Sequence, residues 1–250
     1  MTRALHRMPR LFVPQPLAAE GKVRLDGEQA HYLRNVMRLR EGDAARLFNA
    51  EDGEWLCTIE EAGKRQVRLR CAEKLAEPAL PPDIDYLFAP LKSARLDYIA
   101  QKATEMGARR IRPVLTRHTV VRKVKPERIR ANAIEAAEQC NLVFVPEVLN
   151  AQPLERLLAD WPEQEPERRI IHLDEAAPIA DPIEALKQVP EGPLAVLIGP
   201  EGGFAPEEQR LLRSLAFVHS IRIGPRIMRA DTAGVAALAL VQVVLGDWRA

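Results

Sequence analysis

Cysteine is scarce in this chain of 250 residues: Cys57, Cys71 and Cys140 are odd in number and form no C-x-x-C pair. No disulfide framework, zinc site or other metal is therefore expected, and a reducing, cytoplasmic setting fits. Internal repeats and low-complexity stretches are absent. The N-terminus carries Arg3, His6, Arg7 and Arg10 with no apolar stretch or small-residue cleavage site behind them, which argues against a secretory signal. Two ligand signatures are also missing. Phe204-Ala205-Pro206 follows the glycines where a phosphate loop needs lysine and a hydroxyl, and Gly199, Gly202 and Gly203 do not give the spacing G-x-G-x-x-G. Nucleoside triphosphates and nicotinamide dinucleotides are thereby disfavoured.

What is present is ample apolar material, 47% of the chain, and a net charge of only +1 that hides a strong asymmetry. Between Lys92 and Arg130 there are 12 Lys/Arg against 3 Asp/Glu, whereas Ala131 to Glu208 has 4 against 16. One basic face for a polyanion, apart from an acidic middle, is the expectation.

Up to Leu75 the pattern reads as strands at Arg10 to Val13, Lys22 to Leu25, Ala45 to Phe48, Glu54 to Ile59 and Gln66 to Cys71. One helix, Glu28 to Leu39, interrupts them, with Asp26 as its cap and Gly42 beyond its end. On a regular helix Arg34 and Arg38 share a face, with His31 three residues before Arg34. Glu77 to Pro82 is a proline-rich linker, so the domains are set at 1–76 and 83–250. After it strands alternate with helices: a strand at Ile84 to Leu91, a helix at Arg95 to Met106, a strand at Ile111 to Leu115, a helix at Pro126 to Cys140, and strands near Val148 and at Ile170 to Leu173. That rhythm predicts an α/β domain with a largely parallel sheet. Cys140 has no base placed beside it and reads as a buried structural cysteine, and His172 and His219, in apolar strand-like runs, read as core histidines.

Leu194 to Ile198 is a continuous apolar run, the mark of a strand buried on both faces, and turns through Gly199-Pro200-Glu201-Gly202-Gly203 into a helix start at Pro206. About twenty residues later Ile223-Gly224-Pro225-Arg226-Ile227-Met228 makes a second such turn. Bare backbone at strand ends lets a ligand approach main-chain groups closely. The final helix, Ala233 to Leu245, is apolar nearly all round, capped by Asp231 or Thr232, and at thirteen residues too short to span a bilayer. It must be buried in the protein or against a second subunit.

Gly-Pro-Glu-Gly-Gly at 199–203 followed by Gly-Pro-Arg-Ile-Met-Arg-Ala-Asp-Thr-Ala at 224–233 resembles the late motifs of the RsmE family of SPOUT methyltransferases. Met8-Pro9-Arg10-Leu11-Phe12, the His31 to Arg38 segment, Lys102 to Gly107 and Glu138-Gln139-Cys140 are similar to other elements of that family. Met228 stands where leucine is usual, and Asp231 where glutamate is common. The resemblance implies a PUA-like RNA-binding β-barrel domain and a trefoil-knotted domain that binds S-adenosylmethionine. It further implies a homodimer and methylation of N3 of a uridine in 16S ribosomal RNA of the small subunit. Cofactor contacts are then expected from Leu173, Ile198, Gly199, Pro200, Glu201, Gly202, Gly203, Ile223, Gly224, Arg226, Met228, Thr232 and Ala233. RNA contacts are expected from Arg10, His31, Arg34, Arg38, Lys92 and Arg95. Arg229 and Asp231 are the candidate catalytic residues. Uracil N3–H must lose its proton, and a guanidinium at Arg229 would stabilise the anion that develops.

Overall fold

The computed structural model describes residues 5 and 8–249; Arg3, His6 and Arg7 lie outside them. The described chain divides into two compact units, Met1–Leu80 with Ala137–Val145, and Pro81–Ala136 with Pro146–Ala250.

In the first unit β1 (Arg10–Phe12), β2 (Lys22–Asp26), β3 (Ala44–Asn49), β4 (Gly53–Ala62) and β5 (Gln66–Ala76) form one sheet in the order β1-β3-β4-β5-β2. All pairs are antiparallel except β1 with β3. Strict alternation in β2 turns Val23 and Leu25 inward, where they join Leu47, Ile59 and Leu69 in the core. Cys57 and Cys71 face each other within it as buried free thiols. Arg10, by contrast, is not available to RNA. It is 5% exposed, its Nε donates to Glu54 Oε2 at 2.9 Å, and its two terminal nitrogens donate to the carbonyls of Ala137 and Leu142, each at 2.7 Å. Arg46 donates to the other Glu54 oxygen. Burying the Glu54 carboxylate requires such partners, and Arg10 is one of them.

The helix expected at Glu28 to Leu39 is shorter and irregular. α1 (Gly27–His31) passes into a π-helical turn, Tyr32–Val36, and Arg38 lies beyond it in the left-handed region at φ 58°. Asp26 sits at the N-cap but makes no side-chain cap bond.

The second unit is built on a parallel sheet in the order β12-β10-β11-β6-β7-β8, with the short β9 (Gln152–Pro153) also paired to β7. Its strands are β6 (Ile84–Phe88), β7 (Arg110–Leu115), β8 (Glu147–Val148), β10 (Arg169–Leu173), β11 (Leu194–Ile198) and β12 (Val218–Ile221). β6 and β11 are buried at every residue, as their continuous apolar runs require. The helices are α2 (Ser93–Glu105), α3 (Pro126–Gln139, whose last turn from Ala137 belongs to the first unit), α4 (Leu154–Gln164), α5 (Pro182–Leu186), α6 (Pro206–Ser214) and α7 (Ala230–Val244). Two of the arginines in the basic stretch turn inward: Arg110 and Arg112 pair with the fully buried Asp85 and with Glu165. No helix among the described residues is long and apolar enough to cross a membrane.

Candidate active site

Three neighbouring strands, β12, β10 and β11, end on the same side of the parallel sheet, and the loops that leave them line one cavity of ≈ 560 Å³. Its wall holds Leu173 from the end of β10, Ile198 and the whole turn Gly199–Gly203, and Ile223, Gly224, Arg226 and Met228 from the second turn, with Ala233 from α7. Thr232, expected with them, is exposed and does not line it. Sequence-distant turns meet because parallel strands put all their carboxyl ends at one edge. A Cβ at Gly203 or Gly224 would meet nothing within 4 Å, and both have positive φ, 68° and 126°. Glycine therefore serves the backbone path there and leaves main-chain groups bare.

The wall also contains Asp174 and Arg213, which the sequence did not single out, whereas His172 and His118 do not line it. Asp174, directly after β10, is held by Arg213 through two bonds of 2.6 and 2.8 Å, and accepts Ala176 N at 3.0 Å. The Arg213 hydrogen bonds keep the Asp174 carboxyl below its ordinary range. His172 is buried, lies 3.1 Å from Ser220 Oγ through Nδ1, and packs edge-on against Phe204; burial lowers its pKa to about 4. It is thus a neutral core histidine. His118, from the loop after β7, reaches the carbonyls of Gly202 and Gly203. No local signal in sequence could place His118 or Arg213, since the contacts join residues 84 and 39 positions apart.

Of the two candidate catalytic residues, Arg229 is exposed and forms no ion pair among the described residues. It is itself the N-cap of α7, which starts at Ala230, so neither Asp231 nor Thr232 caps the helix; Asp231 Oδ1 instead accepts Thr232 N at 2.9 Å. Arg95, expected on RNA, pairs with Glu201 of the glycine turn and lies 3.8 Å from Asp231. Arg226 is exposed. Asp231 also raises the pKa of the buried Tyr86, after the larger effect of burial itself.

The expected RNA residues fall in both units. In the first, Arg34 and Arg38 line a cavity of ≈ 540 Å³ with Leu39, Arg40, Glu41 and Ala62, and the exposed His31 meets Asn35 Nδ2 at 2.9 Å. The two arginines come together through the π turn and the left-handed bend, and not as neighbours on one regular helix face. In the second unit Lys92 is exposed. Cys140 is exposed as well, contrary to the buried structural cysteine expected. Among the described residues no cluster of metal-binding side chains occurs.

Residues 78–242 match the family described as RNA methyltransferase domain, and residues 25–70 match the RNA methyltransferase PUA domain. The ribosomal RNA small subunit methyltransferase E of Rickettsia conorii is 31% identical over 245 residues, covering 94% of this chain and 95% of that protein. The protein of the same name from Bacillus subtilis is 31% identical over 229 residues, covering 87% and 88%. A Legionella pneumophila structure in complex with the bound cofactor SAM superposes with a TM-score of 0.81 at 28% identity, covering 96% of this chain and 99% of that one.

Proposed function

This chain belongs to the RNA methyltransferase family, and from that we propose that it uses S-adenosylmethionine to methylate N3 of a uridine in the 16S ribosomal RNA of the small subunit. The observation that carries the reading is the single cavity lined by both glycine turns and the end of β10. Its apolar residues Leu173, Ile198, Ile223 and Met228 suit an uncharged adenine. No lysine lines it, and of its three arginines, Arg213, Arg222 and Arg226, the first is already paired with Asp174. The glycine and proline backbone of both turns would hold the cofactor, which supplies an electrophilic methyl on a sulfonium.

The chain's own residues align and polarise. Arg229, without an ion pair and next to the start of α7, is the group to meet negative charge on the uracil oxygens as N3–H is lost. Arg95 holds Glu201 near Asp231 and so ties the first turn to α7. Asp231 acts from there on the position of Arg229, and Arg226 faces the cofactor cavity. The unit bearing the PUA match, with Arg34 and Arg38, takes the RNA. The domain roles at 1–76 and 83–250, the trefoil knot, the homodimer and a cytoplasmic location belong to the same reading, because a ribosomal substrate sets where the protein works.

The test is to map modified bases in ribosomal RNA with the gene deleted, and to restore it in trans. Loss of one N3-methyluridine from the small subunit, regained on complementation, is expected. An intact small-subunit pattern with a base missing from transfer RNA would replace the substrate.

A further inference from the structure

The glycine turn after β11 is held internally by a single backbone bond, Gly203 N to Pro200 O at 2.9 Å. Outside the turn, Arg95 of α2 pairs with Glu201, and the anchors of the Gly202–Gly203 end come from the loop 116–119 that leaves β7, two strands away across β6. That loop is firmly built. Thr116 and Thr119 are buried; Thr116 N donates to Thr119 Oγ1 at 2.8 Å and the two hydroxyls lie 2.9 Å apart. The Glu208 carboxylate, 3% exposed, accepts Arg117 N at 2.9 Å on one oxygen and Ala205 N at 2.8 Å on the other. One buried carboxylate therefore joins the loop to the exit of the glycine turn.

At the turn itself the joint is His118. Its Nδ1 lies 3.1 Å from Gly202 O and 3.0 Å from Gly203 O. Both partners only accept, so Nδ1 carries the proton and donates to them, in the neutral ring or in the imidazolium alike. Gly203 has φ 68°, a conformation that a two-glycine turn leaves freely unless something outside it selects that state.

We propose that His118 is a positioning residue whose imidazole N–H fixes the carbonyls of Gly202 and Gly203 and so holds the glycine turn in its ligand-receiving shape. This rests on reading the cavity as the S-adenosylmethionine site. It adds a residue outside both glycine motifs, and it makes one ring nitrogen responsible.

Three variants separate these claims. In His118→Asn the amide Nδ2 takes the place of Nδ1; in His118→Gln the donor moves to the position of Nε2; His118→Ala has none. Two readouts are taken: amide hydrogen exchange over residues 201–205 in the ligand-free protein, and calorimetric affinity for S-adenosylmethionine with KM and kcat alongside. Expected for Ala and Gln are faster exchange across the turn and an affinity loss of about three- to tenfold, read as raised KM with kcat nearly unchanged. Asn should return both towards wild type. Wild-type exchange in the Ala variant, or an Asn variant no better than Gln, overturns the proposal. If the unmutated protein bound no S-adenosylmethionine, the cofactor reading would fall, while the exchange comparison would still decide whether His118 holds the turn.

Discussion

Single residues carry two predictions. Gly203 has φ 68° and open space where a Cβ would sit, whereas a Cβ at Gly202 would make ordinary contact with His118 at 3.6 Å and Gly202 has no positive φ. Backbone strain therefore belongs to Gly203. Gly203→Val should cost about 1–2 kcal/mol of stability, as a left-handed non-glycine residue does, and should also fill ligand space. Melting curves and calorimetry check this together; a folded Gly203→Val protein with unchanged S-adenosylmethionine affinity would remove the turn from the cofactor site. The second prediction concerns His172, whose pKa is lowered by burial to about 4. The unfolded chain binds a proton near pH 6.5 and the folded chain does not, so stability falls as pH drops from about 6.5 towards 4. At pH 5 the loss is about 2 kcal/mol relative to pH 8. His219, lowered by its own burial, adds to it with the same sign. Urea titrations at the two pH values should show the loss in wild type and a smaller one in His172→Gln; Asp174, whose pKa is depressed, acts only at lower pH.

At the scale of elements, a strand was legible where both of its faces are covered. The run Leu194–Ile198 announces β11 end to end because both its faces are covered, and Gly107, at φ 78°, stops α2 as a glycine after a helix does. α4 went unread although Leu154, Leu157, Leu158 and Trp161 recur at helical spacing and are buried, because Pro162 lies inside it and argues against a helix. The π turn after His31 leaves no sequence mark either, although Leu33 within it is buried in the core of its unit. At the site, the two turns were legible through their glycines, while Asp174, Arg213 and His118 were not, since only tertiary packing brings them there. The irregular helix end also sharpens a prediction. Arg34 and Arg38 converge on one cavity without ion-pair partners among the described residues, so they are placed for phosphates. Replacing both with alanine should flatten the slope of log RNA affinity against log salt by about one to two units, each contact contributing roughly 0.7–0.9. Filter-binding across a salt series measures it, and an unchanged slope would return both side chains to plain solvation.

Across the whole molecule the open question is what covers α7. Apolar on nearly every side in sequence, it buries only one stripe within the chain, Gly234, Ala237, Leu238 and Val241, against the core that includes β6, β11 and α2. The other stripe, Ala236, Ala239 and Val243, stays half-open, with Val243 at 48% exposure. A second copy of α7 is the partner our reading supplies, since a homodimer with its sites at the interface is what the family resemblance implies. The catalytic consequence follows from adjacency. α7 begins at Ala230, one residue after Arg229, and Asp231 in its first turn neighbours Arg95 and, through it, Glu201 of the glycine turn. A helix that shifts when its outer stripe loses cover would move Arg229, the arginine we propose meets the uracil anion, and a displacement near 1 Å can cost about a hundredfold in rate. Val243→Glu places a charge on the open stripe, leaves the buried stripe intact, and so spares the fold of the subunit. It should yield a folded monomer whose melting temperature is lower than wild type and no longer depends on protein concentration, with methyl transfer reduced by about a hundredfold. Mass measured across a dilution series, with activity assayed on the same samples, tests the coupling: a monomer that keeps full activity would break it.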